Sequence, residues 1–135
     1  MIKRDSYMKR IRPFIGTDLV KVLTGIRRSG KSVMLELIKQ EILEQGVSEQ
    51  NFVCINFEDM RFSHLLTDKA LHNEVMSCAE NITGKVYIFF DEIQEVEDWE
   101  KCINSLRVVL NCDIYITGSN AKLLSGELAT YLGGR

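Results

Sequence analysis

Four short apolar runs punctuate this chain, and each is followed by a stretch of helical periodicity. The runs are DLVKVLTG after Gly16, NFVCINFED (51–59), KVYIFFDE (85–92) and DIYITGS (113–119). β-branched and aromatic residues fill them, as suits strands covered on both faces. Leu35, Ile38 and Ile42, with Leu37 beside them, recur at helical spacing from Lys31, and Gly46 supplies a stop. Leu71, Val75 and Ala79 share a face behind a cap at Thr67 or Asp68. Asp98 opens a helix carrying Trp99, Cys102, Ile103, Leu106 and Leu110, and a last helix is predicted to run toward Leu132, stopped by Gly133 and Gly134. Strand–helix alternation repeated four times predicts an α/β fold in three layers: a mainly parallel sheet between helices, with ligand chemistry at the carboxyl ends of the strands. At 135 residues the chain has room for one such domain.

The turn behind the first strand narrows this further. Gly25-Ile26-Arg27-Arg28-Ser29-Gly30-Lys31-Ser32 fits G-x-x-x-x-G-K-[ST] at every fixed position, follows a strand and opens a helix. Glycines let the backbone curl so that successive N–H groups face phosphate oxygens, and the helix start adds free donors and the positive end of its dipole. Lys31 is then expected to neutralise the β- and γ-phosphates and Ser32 to ligate magnesium, with Val33 flanking the loop. With glycine at about 7% of residues, a chance match in a chain of this length is on the order of one in a few hundred. The third strand delivers Asp91 to its end, followed at once by Glu92. Asp91 suits magnesium through a water, and Glu92 is placed to orient and deprotonate an attacking water. Ser119 and Asn120, past the fourth strand, either report on the γ-phosphate or cap the next helix. No N-K-x-D segment is present to read guanine, and the strand between loop and acid implies the ATPase branch with an extra strand and a catalytic glutamate.

Together, TGIRRSGKS, FFDEIQEVEDWE and YITGSNAKLLSGELATYLGGR resemble the N-terminal ATPase domain of a bacterial and archaeal group in the AAA superfamily. The resemblance spans Arg4 to Arg135. It implies a P-loop NTPase fold, ATP held at Gly25 to Ser32, magnesium at Ser32 and Asp91, and Glu92 as base. Gln94 and Trp99 match the group's pattern, Trp99 being assigned to core packing. Arg135 is a candidate by position for an arginine reaching a neighbouring subunit's γ-phosphate, and Arg27 and Arg28 face either phosphate or solvent. Members of the group continue past the Gly-Arg into a fifth strand and a nuclease-like or winged-helix region. The chain is therefore expected to be a fragment lacking that strand. Its phosphate-loop strand would be left as an apolar edge open to self-association, alongside any AAA-type interface.

Composition adds exclusions. Net charge is −2, which argues against a general nucleic-acid binder; such contacts would come only through a longer parent. The start is basic, with Lys3, Arg4, Lys9, Arg10 and Arg12 against Asp5. Tyr7, Met8 and Ile11 lie at helical spacing before Pro13. Residues 1–16 are thus expected to be a basic helix and lead-in, and 17–135 the core. The basic face is either solvated or in contact with nucleotide, a neighbouring subunit or nucleic acid. No apolar run approaches the roughly 20 residues that cross a bilayer, and no signal-peptide core follows the basic start, which predicts a cytoplasmic protein without a membrane partner. Cys54, Cys78, Cys102 and Cys112 form no CxxC pair and, with His64 and His72, no zinc spacing, so buried reduced thiols are expected.

Three activities share these motifs: magnesium-dependent ATP hydrolysis, a slow nucleotide-controlled switch, and transfer of the γ-phosphate to a small acceptor near Glu58, Asp59 and Arg61. The Asp-Glu pair favours activated water.

Overall fold

The structure, a computed structural model, describes residues 4–24, 28–119 and 129–131. Helix α1 (Arg4–Ile11) leads into strand β1 (Val20–Leu23) and helix α2 (Arg28–Glu44). Strand β2 (Phe52–Asn56), helix α3 (Asp68–Ala79) and strand β3 (Val86–Asp91) follow, then helix α4 (Trp99–Val109), strand β4 (Cys112–Thr117) and strand β5 (Ala129–Tyr131). The sheet runs β2-β3-β4-β1-β5, and every pair is parallel. Strand β4 thus lies between β1 and β3, which is the extra strand expected between the loop-bearing and acid-bearing strands.

Because side chains alternate across a strand, the sheet has two distinct faces. Val20, Val22, Ile88, Phe90, Ile114 and Ile116 pack with Leu71 and Val75 of α3 and Trp99, Ile103 and Leu106 of α4. On the other face Leu23, Phe89 and Tyr115 pack with Met8 and Ile11 of α1 and Met34, Ile38 and Ile42 of α2. Here the rings of Phe89 and Tyr115 stack with centroids 4.8 Å apart, and those of Phe52 and Tyr87 at 5.3 Å. Trp99 is a core residue, as expected. The cap expected at Thr67 and the stop expected at Gly46 hold: Thr67 accepts from Ala70 N, and Gly46 follows α2 with φ of 96°. Arg12 pairs with Glu41, fastening the α1 end to α2, while Lys9 and Arg10 are exposed.

Two expectations change. Residues 129–131, predicted to be helical, form β5 alongside β1 with Val20 opposite Ala129 and Val22 opposite Tyr131. A strand predicted after Gly134 and Arg135 would lie past the last residue of this chain. The outer side of β1 is nonetheless covered, so β1 is not a bare edge: its N–H and C=O groups take the nearest available backbone. Cys54 is also exposed rather than buried. It alternates with Val53 and Ile55, which take the inward positions of β2.

At the opposite end from the loop, a charge pair is fully buried. Lys21 Nζ lies 2.5 Å from Asp113 Oδ1 and donates to Thr17 O at 2.9 Å. Asp113 Oδ2 accepts from Tyr115 OH at 2.7 Å and from the backbone N–H of Gly16 at 2.9 Å, while Lys85 Nζ reaches Gly16 O at 2.6 Å. Gly16 has φ of 85°, which a glycine adopts without strain. Burial pulls the Lys21 ammonium down from its ordinary range, and the Asp113 carboxylate opposes that fall.

Two outcomes follow. Removing one charge of a buried pair strands the other, at a cost of about 3–5 kcal/mol. Asp113→Asn should therefore lower the urea midpoint sharply, and adding Lys21→Met should recover more than half of the loss; additive losses would contradict the pairing. Burial pushes the Cys102 thiol up to about 12 and the Cys112 thiol up to about 11. Native-state maleimide labelling read by mass spectrometry should modify exposed Cys54 while Cys102 and Cys112 react only after unfolding.

Candidate functional site

The α2-facing face of the sheet ends in polar residues. Asn56 closes β2, Asp91 closes β3 and Thr117 closes β4, with Asn56 in register with Asp91 and Phe90 with Ile116 one step before. Asp91 and Thr117 each sit one alternation beyond a buried aromatic residue on the same face, Phe89 and Tyr115, while Asn56 follows exposed Cys54, so the strand period itself carries a polar row to the carboxyl end. Helix α2 starts at Arg28 and lays Lys31 and Ser32 against that row.

The contacts are close and mutual. Ser32 Oγ donates to Asp91 Oδ2 at 2.5 Å. Thr117 Oγ1 donates to Asp91 Oδ1 at 2.5 Å and accepts from the backbone N–H of Glu92 at 3.0 Å. Lys31 Nζ donates to Gly118 O at 2.9 Å and lies 3.3 Å from Glu92 Oε2. Lys31, Asp91, Glu92 and Thr117 are all buried. Charges withdrawn from water in this way need partners, and here each has one within the group. Both oxygens of Asp91 accept from hydroxyls, a donor set of hard oxygens.

Glu92 adopts a left-handed backbone, φ 59° and ψ 53°, and leads into the single 3₁₀ turn Ile93–Glu95. A non-glycine residue held there costs on the order of 1 kcal/mol. The turn is pinned by fully buried Ile93, and it swings the Glu92 carboxylate back toward Lys31. Gln94 Nε2 donates to Glu92 Oε1 at 2.8 Å.

Of the residues expected from sequence, the structure brings together Lys31, Ser32, Asp91 and Glu92. Val33 is half-exposed and Ser119 is exposed. Gly25, Ile26, Arg27, Asn120 and Arg135 lie outside the described residues, as do the side chains of Arg28 and Ser29. A hydroxyl contact to Asp91 comes from Thr117, which the sequence reading passes over. Its signal is modest but present: it is the polar residue that closes the strand, on the same face as Asp113 and Tyr115. A cavity of about 330 Å³ opens beside Ser32 and Asp91, walled by Asn56, Asp59, Arg61 and Phe62. Asp59 and Arg61 pair with each other at 2.6 Å. Glu58, grouped with them in the sequence reading, does not line this cavity.

A family model described as an AAA domain matches residues 17–135. An uncharacterized protein of Haemophilus influenzae is 43% identical over 135 residues, covering 100% of this chain and 34% of the relative. An uncharacterized protein of Methanocaldococcus jannaschii is 38% identical over 136 residues, covering 100% of this chain and 28% of the relative. The chain therefore spans only about a third of the length of these curated relatives. With the model match over residues 17–135 and the loop-strand, acid-strand and helix start assembled as described, the chain belongs to the AAA domain family.

Proposed function

We propose that the chain binds ATP through Gly25 to Ser32 and hydrolyses it, as the single P-loop domain (17–135, preceded by a basic helix and lead-in) of a longer cytoplasmic ATPase. The observation that carries this reading is the pairing of α2's first turn with the end of β3, Ser32 with Asp91 and Lys31 with Glu92. A buried ammonium beside a helix N-terminus fits phosphate oxygens, which offer Lys31 more charge than the Gly118 carbonyl does. The hydroxyl and carboxylate oxygens of Ser32 and Asp91 fit magnesium, which favours hard oxygen ligands. When bound, that ion supplies charge neutralisation on the phosphates, and Ser32 and Asp91 are the residues to hold it.

Glu92 is the base in this reading. Its carboxylate accepts a proton from water as the water oxygen bonds to the γ-phosphorus. The bridging P–O bond breaks, and ADP leaves with the electron pair. Thr117 fixes the acid pair: one hydroxyl holds Asp91's side chain and Glu92's backbone at once. Positioning and charge, rather than covalent chemistry, carry such a reaction. The neighbouring cavity supports a second reading, transfer of the phosphoryl group to an acceptor bound between Asn56 and Arg61. Trans-acting use of Arg135, self-association through an AAA-type interface and a regulatory switch role belong to the longer protein.

Calorimetry with a slowly hydrolysed ATP analogue and magnesium should give micromolar affinity, lost by tenfold or more in Lys31→Ala. Glu92→Gln should keep binding and lower turnover by about 10²–10⁴-fold, the range of a lost general base. One phosphate released per ADP supports hydrolysis; ADP formed without equal phosphate in the presence of acceptor supports transfer. Thr117→Val, which keeps shape and removes the hydroxyl, should lower turnover at least tenfold and cost about 1–3 kcal/mol of stability, read by urea unfolding.

A further inference from the structure

Gln94 has no task in the reading above, yet its side chain touches the residue assigned as base. Its Nε2 donates to Glu92 Oε1 at 2.8 Å, with Glu95 Oε2 a longer second contact at 3.5 Å. The two oxygens on either side of the 2.8 Å bond are the informative ones. Glu92 Oε2 and Gln94 Oε1 are both buried and have no hydrogen-bond donor among the described residues. Lys31 Nζ is at ion-pair distance from Glu92 Oε2 but directs its hydrogen bond to Gly118 O. A buried acceptor with no donor is unfavourable, and here two of them belong to one hydrogen-bonded pair.

Free acceptors on two groups that are hydrogen-bonded to each other are matched by a molecule that brings two O–H donors, which is what water has. We propose that Gln94 is a catalytic residue of this site: its Oε1 accepts one hydrogen of the attacking water while Glu92 Oε2 accepts, and then takes, the other. The inference rests on the hydrolysis reading and deepens it. With both O–H bonds committed, the lone-pair side of the water oxygen is aimed at the γ-phosphorus. That oxygen forms the new P–O bond, the bridging P–O bond breaks toward ADP, and the proton passes to Glu92 and then to solvent. The Nε2 donor keeps the Glu92 carboxylate from rotating, so one amide both sets the base and orients the nucleophile. The wholly buried Ile93 between them anchors the turn that presents the two side chains together.

The test uses this chain, with Gln94→Leu and the unbranched Gln94→Met as paired variants so that a folding defect in one does not decide the matter. Three quantities are read for each: steady-state hydrolysis, affinity for a slowly hydrolysed ATP analogue with magnesium, and affinity for ADP with aluminium fluoride. The last probe mimics the phosphoryl group under attack and retains an in-line water. The proposal expects kcat to fall by about 10²-fold, analogue affinity to stay within twofold, and ADP–aluminium fluoride affinity to fall by a factor comparable to kcat. A merely structural role would weaken both ligands together, and that pattern overturns the proposal. Hydrolysis within threefold of the unsubstituted chain in either variant also overturns it, provided Glu92→Gln abolishes turnover. Retained turnover in Glu92→Gln, or none in the unsubstituted chain, overturns the hydrolysis reading and this role with it.

Discussion

The backbone ladder that β4 shares with β1 on one side and β3 on the other is what the rest of the molecule hangs from. Both sides of β4 are occupied, so its six residues are all buried and none can move without breaking two rows of hydrogen bonds. Its two ends use that rigidity differently. At the start, Asp113 gathers Lys21, Tyr115 and the Gly16 backbone, which fixes the lead-in beneath the sheet. At the finish, Thr117 gathers Asp91 and Glu92. The aromatic and aliphatic middle, Leu23, Phe89 and Tyr115, separates the two polar clusters. One strand thereby sets the spacing between the Lys21–Asp113 pair and the Asp91–Glu92 acid pair.

The carboxyl end of the sheet gathers one buried cation and two buried carboxylates. Lys31 is matched with Glu92, and Ser32 with Asp91, across the boundary between α2 and the sheet. The single ammonium is set against the Glu92 carboxylate, while the Asp91 carboxylate is held by two neutral hydroxyls. This pairing also means that α2 is tied to β3 by polar bonds at its first turn and by Met34, Leu35 and Ile38 farther along.

Much of this was legible in the residues. The strand–helix alternation and the faces of α2, α3 and α4 follow from periodicity, and Lys31, Ser32, Asp91 and Glu92 follow from motif spacing. Parallel crossovers then leave few ways to arrange the strands. The remainder depends on pairings between distant residues. Lys21 reads as one polar residue within an apolar strand, and nothing nearby in sequence announces Asp113, 92 positions on, as its partner. Thr117 was overshadowed by the more conspicuous Ser119 and Asn120, although the alternation of β4 already put it on the face of Asp113 and Tyr115. The strand at 129–131 competes with a leucine-rich helical pattern, and the open ladder of β1 decides the outcome for those three residues. Cys54 was misjudged because hydrophobic neighbours were taken as a sign of burial, where the period of two separates it from Val53 and Ile55.

The left-handed backbone at Glu92 bears on how such a chain can be altered. Glycine would relax the backbone there, but it would also take the carboxylate away from buried Lys31 and leave that ammonium with the Gly118 carbonyl alone. The two effects oppose each other. A substitution at residue 92 that reads as neutral in heat resistance is then a balance of a relaxed backbone against a stranded charge, not the mark of an idle position.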